Sequence, residues 1–488
     1  MRFSEIIIFV IYLVAMLAIG VYFFFKERDG GEKTYFLGDR KMGAWVAALS
    51  AGASDMSAWV LMGLPTAIYA YGVGKAWISV GLAIGYICSW IIQAPRLRRF
   101  SIVAGDAITI PQYLTNRFLA KSKVLQVISA IVFLLAYTIY SASSIKACGI
   151  LFNKVIGMDA TNAMYLSALI IVGYTFLGGF SAVCWTDFVQ GLLIVGAMFL
   201  APIFGAFILE PANETITDPN FWNAFGDWKA VVSGLAWGLG YFGMPHIIVR
   251  FMSIKSQKEL RKSSVIGISW TLLVVIFAAV IGIIGRLKLG WNDDICKNEL
   301  VFIQMVRLIF PGPILGLISG VLLAAVLAAS MSTADSQLLA ASSAFSSDFY
   351  KPIVRNSKAH DAELMWIGRL VVLIVAETAL IIASNPKAGN IMDLVSNAWG
   401  VFGAAFGPAI MLSLFWKRFN MTGAVAGILG GAVVDIVWLC CLTSSTGIFE
   451  LLPGFVCGMI CAVVGTLCSK APSDDVQALF TKAVEYKE

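Results

Sequence analysis

Two stretches carry side chains suited to chemistry. In 49–59, Leu-Ser-Ala-Gly-Ala-Ser-Asp-Met-Ser-Ala-Trp, the residues Ser50, Ser54, Asp55 and Ser57 interrupt an apolar run over 44–71. In 328–337, Ser330, Ser332, Thr333, Asp335, Ser336 and Gln337 follow an alanine-rich run. Ser332 and Thr333 are neighbours, so on a helix they point about 100° apart and one ligand between them touches both hydroxyls. A hard monovalent cation is held by several oxygens and needs no nitrogen or sulfur, and two hydroxyls with the carbonyls of an unwound helix provide such a set. The alternative is that each hydroxyl bonds the carbonyl four residues back, as membrane helices do routinely. The residues alone leave both readings open.

Small and hydroxylated residues let 49–59 leave helical geometry, and the carbonyls and amides so released need partners that hydrocarbon does not supply. An aspartate at bilayer depth costs about 2.5 to 3.5 kcal/mol on insertion scales, so Asp55 is expected to face a cavity or a partner. A kinked helix with Asp55 capping its second half is the other reading. A second interruption lies at 233–246, with four glycines and Pro245. Proline removes a donor there and glycine weakens helix, so unwinding is expected, although glycine-rich helix packing gives the same pattern. Asp187 stands near the start of another apolar run, as a coupling residue or an interfacial cap. Lys146, Glu377 and Asp435 also interrupt apolar runs, and no motif around them assigns a role.

These stretches must be positioned by membrane helices. Of 488 residues, 59% are hydrophobic and 13% charged, more apolar surface than a soluble core encloses. A ruler of about 20 residues per span gives thirteen segments, at 5–25, 44–71, 76–92, 124–152, 162–177, 182–209, 230–252, 265–284, 314–345, 365–383, 391–416, 423–442 and 449–467. The first is read as a mature helix, because its apolar run exceeds that of a signal peptide and no small-residue cleavage site follows. Counted from the second span, the interrupted segments are first and sixth. A five-span offset reverses their orientation, the arrangement of inverted-repeat transporters with a site between broken helices. The repeats are expected over 44–209 and 230–416, preceded by an extra N-terminal helix and followed by two C-terminal helices over 423–467. The formal charge of +6 marks topology instead of a nucleic-acid surface, since Lys and Arg collect in short loops. Lys26, Arg28, Lys33, Arg40 and Lys41, then Arg96, Arg98, Arg99, Arg117, Lys121 and Lys123, place their loops in the cytoplasm. With thirteen spans, the C-terminus is then cytoplasmic and the N-terminus outside. Two histidines and nine cysteines with no CxxC, HExxH or Walker pattern give no enzyme signature, and no repeated filter motif marks a channel.

The pattern Ser50 to Ser57 with Leu61-Met62-Gly63-Leu64-Pro65 resembles the first core helix of the sodium:solute symporter family, above all its bacterial proline carriers. Ala236 to Gly243 followed by Pro245-His246, Met331-Ser332-Thr333 with Ser336-Gln337-Leu338-Leu339, and the Gly-Ala-Ala-Phe-Gly-Pro ending at Pro408 extend the likeness over nearly the whole chain. The resemblance implies a sodium site of the carbonyls of Ala53, Met56 and Ala329 with the hydroxyls of Ser332 and Thr333, assisted by the charge of Asp55. It implies a substrate region of Asp55, Ser57, Trp59, Tyr140, Trp237, Tyr241 and Pro245, and a coupling role for Asp187. At Asp335 two-sodium relatives carry a hydroxyl, and Asp335 is held as a possible second coupling residue. The expectation is an all-helical, LeuT-like carrier of the cell membrane that couples sodium to uptake of a small solute, L-proline first. A sugar acid, a vitamin or another amino acid is the alternative solute, and a membrane-embedded sensor the alternative class.

Overall fold

Apolar runs set the helices, and small residues set where they break. The computed structural model describes residues 3–27, 30–213, 216, 218–385 and 387–486, so Arg28 lies outside the described residues. In chain order the principal helices are α1 (Phe3–Lys26), α2 (Ala44–Asp55), α3 (Trp59–Tyr71), α4 (Val73–Val103), α5 (Val124–Ile156), α6 (Ala160–Phe176) and α7 (Gly178–Ile208). There follow α8 (Trp228–Phe242), α9 (Pro245–Ser253), α10 (Gln257–Leu289), α11 (Gly312–Val354), α12 (Asp361–Ser384), α13 (Ile391–Phe415), α14 (Met421–Cys441) and α15 (Leu451–Leu467).

Helix covers each of the thirteen expected segments. Among the described residues, however, nine helices are long and apolar enough to cross a bilayer, or ten with α8 and α9 taken as one bent span. The difference comes from the breaks. Segment 44–71 is split into α2 and α3, each too short alone, and α6 and α15 are also short. Between α6 and α7 the expected loop is instead a kink within continuous helix at Gly179, with φ 60° and ψ −165°. A side chain there would be strained by the positive φ, and its Cβ would meet the Tyr35 ring at 2.8 Å. The run expected to end near residue 345 continues as wide helical turns to Val354. Asp348 and Lys351, which interrupt the apolar pattern, lie within these turns.

The two interruptions fall where glycine, serine and proline predicted them. After Asp55, Met56 leaves helical geometry with φ −81° and ψ 71°, and helix resumes as a wide turn over Trp59–Gly63 before Pro65 in the first turn of the next segment. On the other side, α8 tightens to 3-10 geometry over Trp237–Phe242 and meets α9 at a bend of 44°. Pro245 opens α9, where its missing N–H and fixed φ suit the first helical position. Neither break carries a side-chain cap, so Asp55 does not cap the second half of its own helix.

Candidate functional site

The end of α2 meets α11 through oxygen atoms. The Ser332 hydroxyl donates to the Ala53 carbonyl at 2.7 Å and lies 3.2 Å from the Ala329 carbonyl, to which Thr333 also donates at 3.1 Å. Thr333 thus makes the bond to the carbonyl four residues back, whereas Ser332 reaches across to another helix. Ala53, Ala329, Ser332 and Thr333 are all fully buried. Two hydroxyls and two carbonyls therefore share one small volume where the α2 backbone ends. Met56 lies just past it, its N–H still bonded to the Gly52 carbonyl at 2.9 Å while its own backbone turns away. Hydroxyls that rotate their protons outward convert such a cluster into an oxygen cage for a hard cation.

Two residues further on, the chemistry becomes aromatic. The Tyr241 hydroxyl on α8 donates to Asp55 Oδ2 at 2.5 Å, and Trp59 Nε1 donates to the Asp55 carbonyl at 3.2 Å. Trp59 and Trp237 approach with ring centroids 6.2 Å apart. Trp237 also stacks on Trp399 at 6.2 Å and on Phe449 at 4.9 Å, while Tyr241 meets Trp399 edge-on at 5.1 Å. The Trp399 indole donates to the Trp237 carbonyl at 2.9 Å, fixing α13 to the 3-10 turn. Asp55 Oδ1, Ser57 Oγ and the Tyr140 hydroxyl are buried here with no hydrogen-bond partner among the described residues. Buried polar atoms are nearly always paired, so three orphans beside an aromatic box mark a place for a polar ligand with an apolar face. Pro245 stands apart from this box, lining a cavity of about 30 Å³ with Arg250 and Ser336.

Asp187 is not at an interface with water. It is fully buried on α7, accepting from Ser50 at 2.7 Å and from the Arg250 guanidinium at 3.2 Å. Arg250, on α9, also donates to Ser50 Oγ at 3.2 Å, to Ser336 Oγ and to the His246 carbonyl. One guanidinium so ties α2, α7, α9 and α11 together. Asp335 adjoins this network through Ser336, which donates to its Oδ1 at 3.2 Å, and its Oδ2 has no hydrogen-bond partner among the described residues. Sequence reasoning gave Arg250 no place in the site, since an arginine at the end of an apolar segment reads as a cytoplasmic loop charge. The signal was its place one helical turn after His246 in the apolar stretch 245–253. His246 was missed as well. Its Nε2 lies 3.2 Å from the Ser54 carbonyl, and its ring meets Tyr137 and Tyr140 edge-on. Trp399 carried no polar or helix-breaking signal that distinguished it from a core residue. Lys146 donates to the Gly389 carbonyl, away from these groups, and Glu377 is exposed.

A buried polar site between two broken helices is the arrangement found in secondary transporters. Solved structures share the fold. A Na+-coupled sialic acid symporter in a substrate-bound outward-open state matches with a TM-score of 0.76 at 22% identity, over 96% of this chain and 99% of that one. Mhp1, a nucleobase-cation-symport-1 family transporter, matches in a closed conformation with a TM-score of 0.56 at 13% identity, over 92% of this chain and 98% of that one. The fold is therefore the LeuT-like one expected from the sequence. The model of the sodium:solute symporter family matches residues 35–431, and the chain belongs to that family. It is a multi-pass membrane protein and a carrier with sodium as its coupling ion, not an enzyme. Among its relatives are the high-affinity proline transporter of Bacillus subtilis (strain 168), 43% identical over 95% of this chain and 98% of that protein, and the osmoregulated proline transporter of the same strain, 42% identical over 96% of each. A sodium/proline symporter of Staphylococcus aureus (strain JH9) is 40% identical over 98% of this chain and 95% of that protein.

Proposed function

We propose that this chain takes up L-proline with sodium by alternating access, binding both at the broken end of α2. The observation that carries the proposal is the pair of contacts two residues apart, Ala53 with Ser332 and Asp55 with Tyr241. The first is an oxygen cage for the ion, with the carbonyls of Ala53, Met56 and Ala329 and the hydroxyls of Ser332 and Thr333 as ligands. The second is the solute site, where the proline ring packs among Trp59, Trp237 and Tyr140. Ser57, Tyr241 and the backbone freed near Met56 meet its charged groups, and Pro245 sets the angle of α9 beneath them. Asp55 supplies negative charge to both, and Asp187 holds the coupling network through Arg250. Near-full-length relatives named for proline at 40–43% identity support the choice of solute.

In this reading the thirteen helical segments all span the membrane. The segments 44–209 and 230–416 are inverted repeats, the N-terminus is outside and the C-terminus is cytoplasmic. Zwitterionic proline has no net charge, so cotransport with one sodium moves one positive charge inward. About 2.3 kcal/mol from 100 mV and about 1.4 kcal/mol from a tenfold sodium gradient sustain roughly 500-fold accumulation. The test is radiolabelled proline uptake into proteoliposomes with and without sodium and an imposed inside-negative potential. Accumulation that needs sodium and rises with the potential is expected. Sodium-driven uptake of a sugar acid or vitamin, with proline neither transported nor competing, refutes the solute and leaves the carrier.

A further inference from the structure

Asp435 is the anomaly of the bundle. It lies on α14 with 0% exposure, and among the described residues neither carboxylate oxygen has a hydrogen-bond partner. Its seat is shaped by two glycines: a Cβ on Gly400 of α13 would lie 2.8 Å from Oδ1 and 3.3 Å from Oδ2, and a Cβ on Gly454 of α15 would lie 2.9 Å from the Asp435 Cβ. One helical turn before Gly454, whose N–H bonds its carbonyl at 3.0 Å, stands another carboxylate, Glu450, itself 2% exposed, whose Oε2 accepts from Thr443 at 3.3 Å. Two buried acids this close in the fold do not both persist as free anions in a low-dielectric interior. Something positive must neutralise them, and a route for it exists. Glu450 lines a cavity of about 490 Å³ whose wall includes Trp237 and Phe449, next to the proposed solute site. The other titratable groups there are Lys75, Asp227 and Asp393, with Lys229 nearby. None of them bonds Asp435.

We propose that Asp435 and Glu450 form a binding site for one small monovalent cation, a sodium ion or a proton, reached from the cavity over Trp237. Up to four carboxylate oxygens suit either ion, and the close approach of Gly400 and Gly454 to Asp435 leaves room for a small occupant only. The site touches transport through one peptide. Gly400 follows Trp399, whose indole holds the Trp237 carbonyl and whose ring packs on Trp237 and Tyr241. Occupation sets the position of α13 at that point and with it the wall of the aromatic box. This site is separate from the Ser332 cage, so it stands or falls apart from the assignment of that cage.

The experiment has two arms. In purified protein carrying Ser332→Ala and Thr333→Ala, binding of radioactive sodium is measured with and without Asp435→Asn. Residual binding lost on Asp435→Asn identifies a sodium site. In otherwise wild-type proteoliposomes at saturating sodium, the concentration for half-maximal solute uptake is followed between about pH 5.5 and 8.5 outside. A dependence of about fivefold or more in wild type that disappears in Asp435→Asn identifies a proton site. If neither sodium binding nor the pH dependence changes, the proposal is overturned. Should Asp435→Asn fail to fold, Glu450→Gln at the cavity wall is read by the same two criteria, with the same outcomes deciding.

Discussion

Replacing Arg250 by Gln should destabilise the protein far more than its single ion pair suggests, and Asp187→Asn in the same chain should restore much of the loss. The guanidinium has 2% exposure and bonds Asp187, Ser50, Ser336 and the His246 carbonyl. Glutamine can replace only part of that set and carries no charge. Asp187, fully buried, is left with Ser50 as donor to Oδ2 and nothing on Oδ1. Removing one partner of a buried ion pair costs about 3 to 5 kcal/mol, because the remaining charge stays buried uncompensated. That is a large share of a typical stability of about 5 to 15 kcal/mol. Asp187→Asn alone costs less, since Arg250 keeps three uncharged acceptors. In the double variant both charges are gone, and about half or more of the loss should return. The assay is thermal unfolding of the purified protein in detergent, completed as a double-mutant cycle. Uptake should remain low in the double variant, because the bonds joining α2, α7, α9 and α11 are weaker even when the fold recovers. Additivity of the two single losses within about 0.5 kcal/mol would refute the reasoning, since it means that the two residues do not share a buried charge balance.

Ser332→Ala with Thr333→Ala removes two oxygens at about 1 to 3 kcal/mol each, so the sodium concentration for half-maximal uptake should rise at least about tenfold; unchanged sodium activation at normal membrane abundance refutes the cage. Asp55→Asn keeps shape and removes charge, so uptake should collapse while insertion survives, and near-normal transport would show that the charge is not used. Tyr241→Phe removes the 2.5 Å bond to Asp55, and Trp237→Ala removes a stacked wall. Both should weaken apparent proline affinity, by about tenfold or more, and sodium affinity less; a larger effect on sodium than on proline would place these rings with the ion.

The breaks were legible in the sequence because they depend on local chemistry. Glycine, serine and proline at 49–59 and 233–246 weaken helix wherever they stand, and no tertiary knowledge is needed to see it. The partners across each break were not legible. Nothing in the order of residues says that Ser332 reaches Ala53 while Thr333 bonds within its own helix, since both hydroxyls have equal local opportunities. Sequence left Asp187 open between a coupling residue and an interfacial cap, because distance from the end of an apolar run is a poor measure of depth where two helices meet at a kink, as α6 and α7 do at Gly179. Arg250 was hidden by a rule that works on average. Arginines mark cytoplasmic loops, but one that follows a helix break by a single turn can point inward and be paired there.

The geometry also suggests why ion and solute would act together. Between Ser50 and Asp55 the residues of α2 touch different elements in turn. Ser50 bonds Asp187 and Arg250, Ala53 accepts from Ser332, the Ser54 carbonyl lies against His246, and Asp55 accepts from Tyr241. These partners lie on α7, α9, α11 and α8, so six residues at a helix end hold four helices. A ligand that draws the Ala53 carbonyl toward itself also moves the peptide leading to Asp55, because only Ser54 intervenes. Coupling then needs no long pathway through the bundle. It needs the α2 end to have two arrangements, with ion and solute both favouring the same one, which is the requirement for any linked binding. Ser54 donates to the Ser50 carbonyl at 2.5 Å and so ties the last turn of α2 together; with ion and solute at the proposed places, the stiffness of this one turn would set how much of the ion's pull reaches the solute.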